Sequence, residues 1–157
     1  MTSEFELRTG TAQDAAAIAE LWLSATAEVA AHEPIYTPDI GHDDLARTLA
    51  EAFQTGEMQA YVVYTGTTLA AYATFRVEEE TPKFVPRRYL YVIDLDVSPQ
   101  FRSRGLSRRL MERLERHAKA QGIYRLELTT AFADPRAKAV WERQGFKPHL
   151  LFMHKDL

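Results

Sequence analysis

Cysteine is absent from the 157 residues, and with it go disulfides, a thiol nucleophile, thiolate zinc sites and iron–sulfur clusters. Long apolar runs are missing too. No stretch reaches the roughly 18 uninterrupted apolar residues of a membrane span, and the charged opening from Met1 to Gly10 holds no signal-peptide core, so the chain reads as cytoplasmic. The five histidines, His32, His42, His117, His149 and His154, lack any ligand spacing such as H-E-x-x-H, and no metal is expected. Neither G-x-x-x-x-G-K-[ST] nor a G-x-G-x-x-G after a strand occurs. Gly105-Leu106-Ser107-Arg108-Arg109 lacks the second glycine of the G-x-S-x-G elbow, which argues against a serine hydrolase. There is no repeat and no low-complexity tract. With 46% hydrophobic and 26% charged residues, residues 1–157 have the composition of one globular domain.

The net charge of −3 is unevenly divided: residues 1–82 hold 3 Lys or Arg against 14 Asp or Glu (−11), and residues 83–157 hold 16 against 8 (+8). That polarity suggests an anionic ligand on the second half and a cationic one facing the first.

Apolar and polar residues alternate over Glu4–Arg8 as in a short strand, and Thr11 with Asp14 forms a capping-box-like helix start. Ile18, Leu21, Trp22, Ala25 and Val29 recur at helical spacing; after Pro34 and Pro38, Leu45, Leu49 and Phe53 mark a second helix ending near Gly56. Two strands flank Thr65-Gly66-Thr67 as a hairpin. After the loop TPKFVPRR comes YLYVIDLDVSP, the strongest strand signal in the chain, closed by Pro99. Leu106, Leu110, Leu114 and Ala118 then form the buried stripe of a helix that stops at Gly122. A strand IYRLELTT, a helix PRAKAVWERQ stopped by Gly145 and a closing strand within FKPHLLFMHKDL complete the order β-α-α-β-β-β-α-β-α-β. The fold class is α/β (α+β), a mixed sheet covered by about four helices.

The stretch FRSRGLSRRL places four arginines around a helix start, where the macrodipole favours anions. A connection running from a buried strand into free first-turn N–H groups is an anion site. Gly105 permits close backbone approach, and Arg102, Arg104, Arg108 and Arg109 can add charge-assisted hydrogen bonds to phosphate.

Arg102-Ser103-Arg104-Gly105-Leu106-Ser107 resembles the R/Q-x-x-G-x-G/A acetyl-CoA loop of the GNAT superfamily of N-acetyltransferases. Asp134, Ala137, Trp141, Gly145 and Phe146 are similar to that family's N-x-x-A-x-x-x-Y-x-x-x-G-F segment, and the element order agrees along nearly the whole chain. The resemblance implies a mostly antiparallel central sheet splayed in the middle, with acetyl-CoA entering between the strand ending at Val97 and the strand beginning near Ile123. By the same resemblance, the backbone of Arg102, Ser103, Arg104, Gly105, Leu106 and Ser107 holds the pyrophosphate, the edge Leu95–Val97 pairs with the pantetheine arm, and Asp134 and Trp141 belong to the cofactor site. It also makes a homodimer possible.

Three positions depart from the pattern. Ser107 replaces Gly or Ala, a mild change. Asp134 replaces Asn and reads as the N-cap of the last helix, with Pro135 at N1. Trp141 stands where many relatives carry the Tyr that protonates the departing thiolate. A thiol of pKa about 8.5 needs only about 2 kcal/mol at pH 7, so the thiolate can leave unaided, or Tyr124 or Tyr91 can substitute. A base matters more, because freeing an amine of pKa about 10.4 costs about 4.6 kcal/mol. In strict alternation Tyr89, Tyr91, Ile93, Leu95 and Val97 share one face of their strand, and Leu90, Val92, Asp94 and Asp96 the other. Asp94 and Asp96 are therefore the candidate catalytic residues, and Glu78, Glu79 and Glu80 can attract an ammonium substrate.

The reading is a single-domain acetyltransferase that moves acetyl from acetyl-CoA to a primary, cationic amine, small-molecule or peptide, by direct attack. A catalytically weak acyl-CoA-binding regulator is the alternative. Nucleic acid is disfavoured by the net negative charge.

Overall fold

The computed structural model describes residues 4–80, 83–130 and 135–157, without the side chains of 135 and 136. Its sheet has five strands in the order β1-β2-β3-β4-β5. These are β1 (Glu6–Thr9), β2 (Gln59–Thr65), β3 (Thr68–Glu79), β4 (Arg88–Val97) and β5 (Leu126–Glu127). The first four pair antiparallel, and β5 joins β4 in parallel at Leu90↔Leu126 and Tyr91↔Glu127 only. Helices α1 (Ala15–Ala30) and α2 (His42–Thr55) precede the hairpin, α3 (Leu106–Ala120) follows β4, and α4 (Pro135–Arg143) follows β5. The splay is thus a fact of pairing: beyond Tyr91 the outer edge of β4 has no strand beside it among the described residues.

Two apolar clusters sandwich the sheet. On one face Ile18, Ala19 and Leu21 of α1 and Leu49 of α2 pack on Val62, Leu69 and Tyr72. On the other, the α3 stripe Leu106, Leu110, Leu114 and Ala118 packs on Val63, Phe75, Leu90 and Val92, with Trp141 and Phe146 against its margin. Fully burying one such aliphatic side chain contributes about 1.5–3 kcal/mol. The spacing by four that marks α3 in the sequence is the stripe that is buried.

The helix starts and stops match their sequence signals. Thr11 and Asp14 close a reciprocal capping box, and α2 ends on Gly56 at φ 75°, a left-handed conformation that glycine adopts without penalty. Asp14 is also the centre of a buried polar knot. It accepts two bonds from Arg8, at 2.7 and 2.9 Å, one from the Thr11 N–H at 2.8 Å and one from the Tyr64 hydroxyl at 3.0 Å. Burial pushes its carboxyl up, but Arg8, Thr11 and Tyr64 outweigh burial and hold it below the usual range.

Two sequence expectations are corrected. The closing strand within 146–157 does not form: those residues carry no regular secondary structure, and Leu150, Phe152 and Met153 are exposed. Its apolar residues suggested a strand, but β5 spans two residues rather than Ile123–Thr130, so the outer strand offers almost no ladder for it to join. The second correction is a bulge. Thr74 pairs with Asp94 while Phe75 pairs with Val92, leaving Ile93 as the extra residue of β4. The bulge exchanges the faces of the strand, so Leu90 and Val92 join Leu95 and Val97 on the α3 side. Strict alternation had put Leu90 and Val92 with the aspartates. Asp94 and Asp96 still share a face, and it is the α1 side.

Candidate active site

Between the free edge of β4 and helices α3 and α4 lies a groove of about 1050 Å³. Leu95, Asp96 and Val97 form one wall, Phe101 with Arg102, Ser103, Gly105, Leu106 and Ser107 of the turn closes one end, and Val140 and Trp141 of α4, with Gln144 just beyond it, face them. The turn has an unusual backbone. Ser103 takes φ 63° and Gly105 φ 75°, and a left-handed residue other than glycine costs roughly 1–2 kcal/mol. Among the described residues, no acceptor meets the N–H groups of Ser103, Leu106, Ser107 or Arg108, and the first helical bond is Arg109 N–H to Gly105 C=O at 3.1 Å. Such donors at the positive end of a fifteen-residue helix make an anion cradle.

The arginines are less free than their sequence suggests. Arg102 Nη2 donates to both carboxylate oxygens of Glu28 at 3.0 Å, and its Nε to the Val97 carbonyl at 3.2 Å. Arg104 turns away from the groove to Glu4 at 3.0 Å, over the rings of Phe5 and Phe101. Arg108 pairs with Glu112 one turn on, and Arg109 donates to the Phe5 carbonyl. Half-exposed pairs of this kind contribute about 0–1 kcal/mol each, enough to tolerate cations at the helix start. Cations that looked misplaced along the sequence are balanced by acids just before β1 and on α1 and α3, or lean on a carbonyl.

The two aspartates differ in setting. Asp96 lines the groove and accepts a 2.7 Å bond from the Tyr72 hydroxyl. Burial pushes its carboxyl up to about 6, against the pull of that bond. Asp94 sits off the groove, accepting from Trp22 Nε1 at 3.2 Å and Thr74 Oγ1 at 3.3 Å; burial raises it too. A carboxylate whose pKa approaches neutrality can exchange a proton with a substrate at working pH.

A model of the acetyltransferase (GNAT) family matches residues 17–146. The chain belongs to that family. No curated protein matches it. Solved GNAT-fold structures superpose closely at low identity. A tetramutant of the BH1408 protein of Bacillus halodurans is 20% identical with TM-score 0.88, covering 97% of this chain and 99% of that one. A predicted acetyltransferase from Clostridium acetobutylicum, solved with acetyl-CoA, is 17% identical with TM-score 0.72 over 97% and 96%. The aminoglycoside N-acetyltransferase AAC(6')-Iy in complex with CoA is 14% identical with TM-score 0.74 over 98% and 95%.

Of the GNAT site residues named from the sequence, Leu95, Asp96, Val97, Arg102, Ser103, Gly105, Leu106, Ser107 and Trp141 come together around the groove, whereas Asp94 and Arg104 do not line it. Asp134 lies outside the described residues. Among the described residues, none that lines the groove is a phenol: Tyr124 is 84% exposed elsewhere, and the Tyr91 hydroxyl bonds Thr129 Oγ1 at 3.1 Å. Sequence reasoning missed Tyr72, Trp22 and Glu28. Tyr72 and Thr74 alternate on β3 as Asp96 and Asp94 do on β4, a signal that only a known register decodes. Among the described residues of this acetyltransferase, no cluster of three or more His, Asp or Glu is placed to hold a metal, and no helix is long and apolar enough to cross a membrane.

Proposed function

We propose that this acetyltransferase moves the acetyl group of acetyl-CoA to a primary amine by direct attack, with Asp96 as the proton acceptor. One observation carries the reading: the free β4 edge, the cradle of unbonded N–H groups and Trp141 line a single groove with a carboxylate raised toward neutrality on its wall. The donor set fits a CoA pyrophosphate. The Leu106 and Ser107 N–H groups would donate to phosphate oxygens, Arg102 and Arg108 would add positive charge, and Leu95 and Val97 would present the strand edge to the pantetheine arm. Acetyl-CoA supplies the acyl group as a thioester.

The remaining chemistry is acid–base. An amine of pKa about 10.4 sits about 3.4 units above neutrality, and freeing it costs about 4.6 kcal/mol. Asp96, near pH 6, can take that proton directly or through water. A positioned base contributes about 100- to 10,000-fold, a matching size. The acceptor is best read as cationic, because Asp94 and Asp96 lie together on the α1-side face of β4 and the first half of the chain is rich in acids.

The first test is melting temperature against rising acetyl-CoA, with ATP and an inert polyanion as controls. Ligand at about 100 times its dissociation constant contributes about 2.7 kcal/mol, which raises Tm by about 5–11 °C in a domain this size. A shift specific to acetyl-CoA, followed by thiol release with cationic amines and not with anionic ones, is the expected result. An equal shift with the polyanion overturns the groove assignment. Acetyl-CoA stabilisation without turnover on any amine leaves the acyl-CoA-binding regulator instead.

A further inference from the structure

Tyr72 lies on the central strand β3, directly across from Asp96 on β4. Its side chain is fully buried, packed among Ile18, Leu69 and the α1 cluster. A hydroxyl in such a place must find an acceptor, and the one it has is Asp96 Oδ2 at 2.7 Å. Asp96 Oδ1 makes no hydrogen bond among the described residues, and the residue borders the groove. The geometry is therefore one-sided: one oxygen is anchored in the core, and its twin, without a partner among the described residues, is not sealed from solvent.

We propose that Tyr72 is a positioning residue for the acetyl-transfer reaction, its buried hydroxyl fixing the Asp96 carboxylate so that Oδ1 alone is offered to the incoming amine. The inference rests on Asp96 being the base proposed above. The hydroxyl cannot itself reach substrate through the packed core, so it acts through Asp96. The bulge at Ile93 sets the register that makes the pair possible, and Asp94 is held in the parallel way by Trp22 and Thr74. Other charges around Asp96 are Asp94 on its own strand, Arg102 after it and Glu28 on α1. Arg108, Glu112, Glu115 and Arg143 line the groove from α3 and α4. None of these replaces the phenol as donor to Oδ2.

The test is the pH profile of kcat/KM for thiol release in wild type, Tyr72→Phe and Asp96→Asn, with the acetyl-CoA-induced Tm shift as a control for folding and cofactor binding. Tyr72→Phe keeps the ring and loses the donor to the ionised carboxylate, so the acidic limb moves up by about one unit while the acetyl-CoA shift stays. A purely structural tyrosine would lower the rate equally at all pH values, and an unmoved limb overturns the proposal. Asp96→Asn should abolish the limb. If the limb persists in Asp96→Asn, the base assignment itself has failed, a result distinct from an unmoved limb in Tyr72→Phe alone. As a second measure, 3-fluorotyrosine at position 72, a stronger donor of nearly the same shape, moves the limb down; no downward movement counts against the positioning role.

Discussion

Asp96→Asn lowers kcat/KM for amine acetylation by about 100- to 10,000-fold and at the same time raises the stability of the fold at neutral pH. Both effects come from one buried carboxylate. Asn keeps the shape and still accepts from Tyr72, but it can take no proton from an ammonium. The stability gain follows from the sign of the pKa shift. In the native state Asp96 titrates near 6, against about 3.9 in an unfolded chain. A carboxyl raised in this way binds its proton more tightly when folded, so the wild type loses stability as pH rises from about 4 through 6. Above pH 6 the full penalty, about 1–3 kcal/mol once partial solvent access is allowed for, weighs on the native state. Thermal melts of both proteins at pH 4, 5, 6 and 7 should show curves that nearly coincide at the acid end and separate toward neutrality. An inactive variant whose advantage in Tm over the wild type is no larger at pH 7 than at pH 4 would mean the carboxylate is not strained by burial.

Asp14→Ala is expected to cost substantial stability at a site away from the groove. Five hydrogen bonds converge on that carboxylate, from Arg8, Thr11 and Tyr64, and its side chain is 4% exposed. Removal strips the 3-10 turn Ala12–Asp14, which leads into α1, of its reciprocal cap and leaves the Tyr64 hydroxyl unbonded. The cost is about 3 kcal/mol, the sum of a lost cap and a stranded buried donor, which corresponds to a fall in Tm of roughly 6–12 °C. The pH sign is opposite to that of Asp96. Because Asp14 is held below the usual carboxylate range, its contribution is complete above about pH 4 and fades as pH falls through its native pKa. Wild type and Asp14→Ala therefore converge in acid, whereas Asp96→Asn and wild type diverge toward neutral pH. A Tm change under 2 °C at pH 7 would show the knot to be dispensable.

Much of this architecture was legible along the chain because its signals are local. Thr11 and Asp14 announce the first helix, Gly66 the hairpin, the spacing of Leu106, Leu110 and Leu114 the helix on the sheet, and Arg102–Ser107 the turn that enters the groove. What was not legible depends on pairing between distant segments. The extra residue Ile93 has no chemical mark, yet it reverses which residues of β4 face α3. The acids that neutralise Arg102 and Arg104, Glu28 and Glu4, are 74 and 100 positions away, so the arginine cluster looked more exposed to solvent and ligand than it is. The closing strand failed for a related reason, since the apolar residues of HLLFM say nothing about whether a partner edge exists.

The parallel pairing of β4 with β5 over two residues divides the molecule into parts of unequal resistance to opening. One side is a continuous antiparallel ladder locked between α1, α2 and α3; the other is joined to it by a short ladder and the packing of Trp141 and Phe146. Local opening free energies follow contact density and backbone pairing, so amide exchange in α4 should precede that of β2–β4. Both walls of the groove belong to different sides of this division. A ligand that touches both is then a mechanical cross-link as well as a substrate, and its departure returns the weaker wall to its own fluctuations.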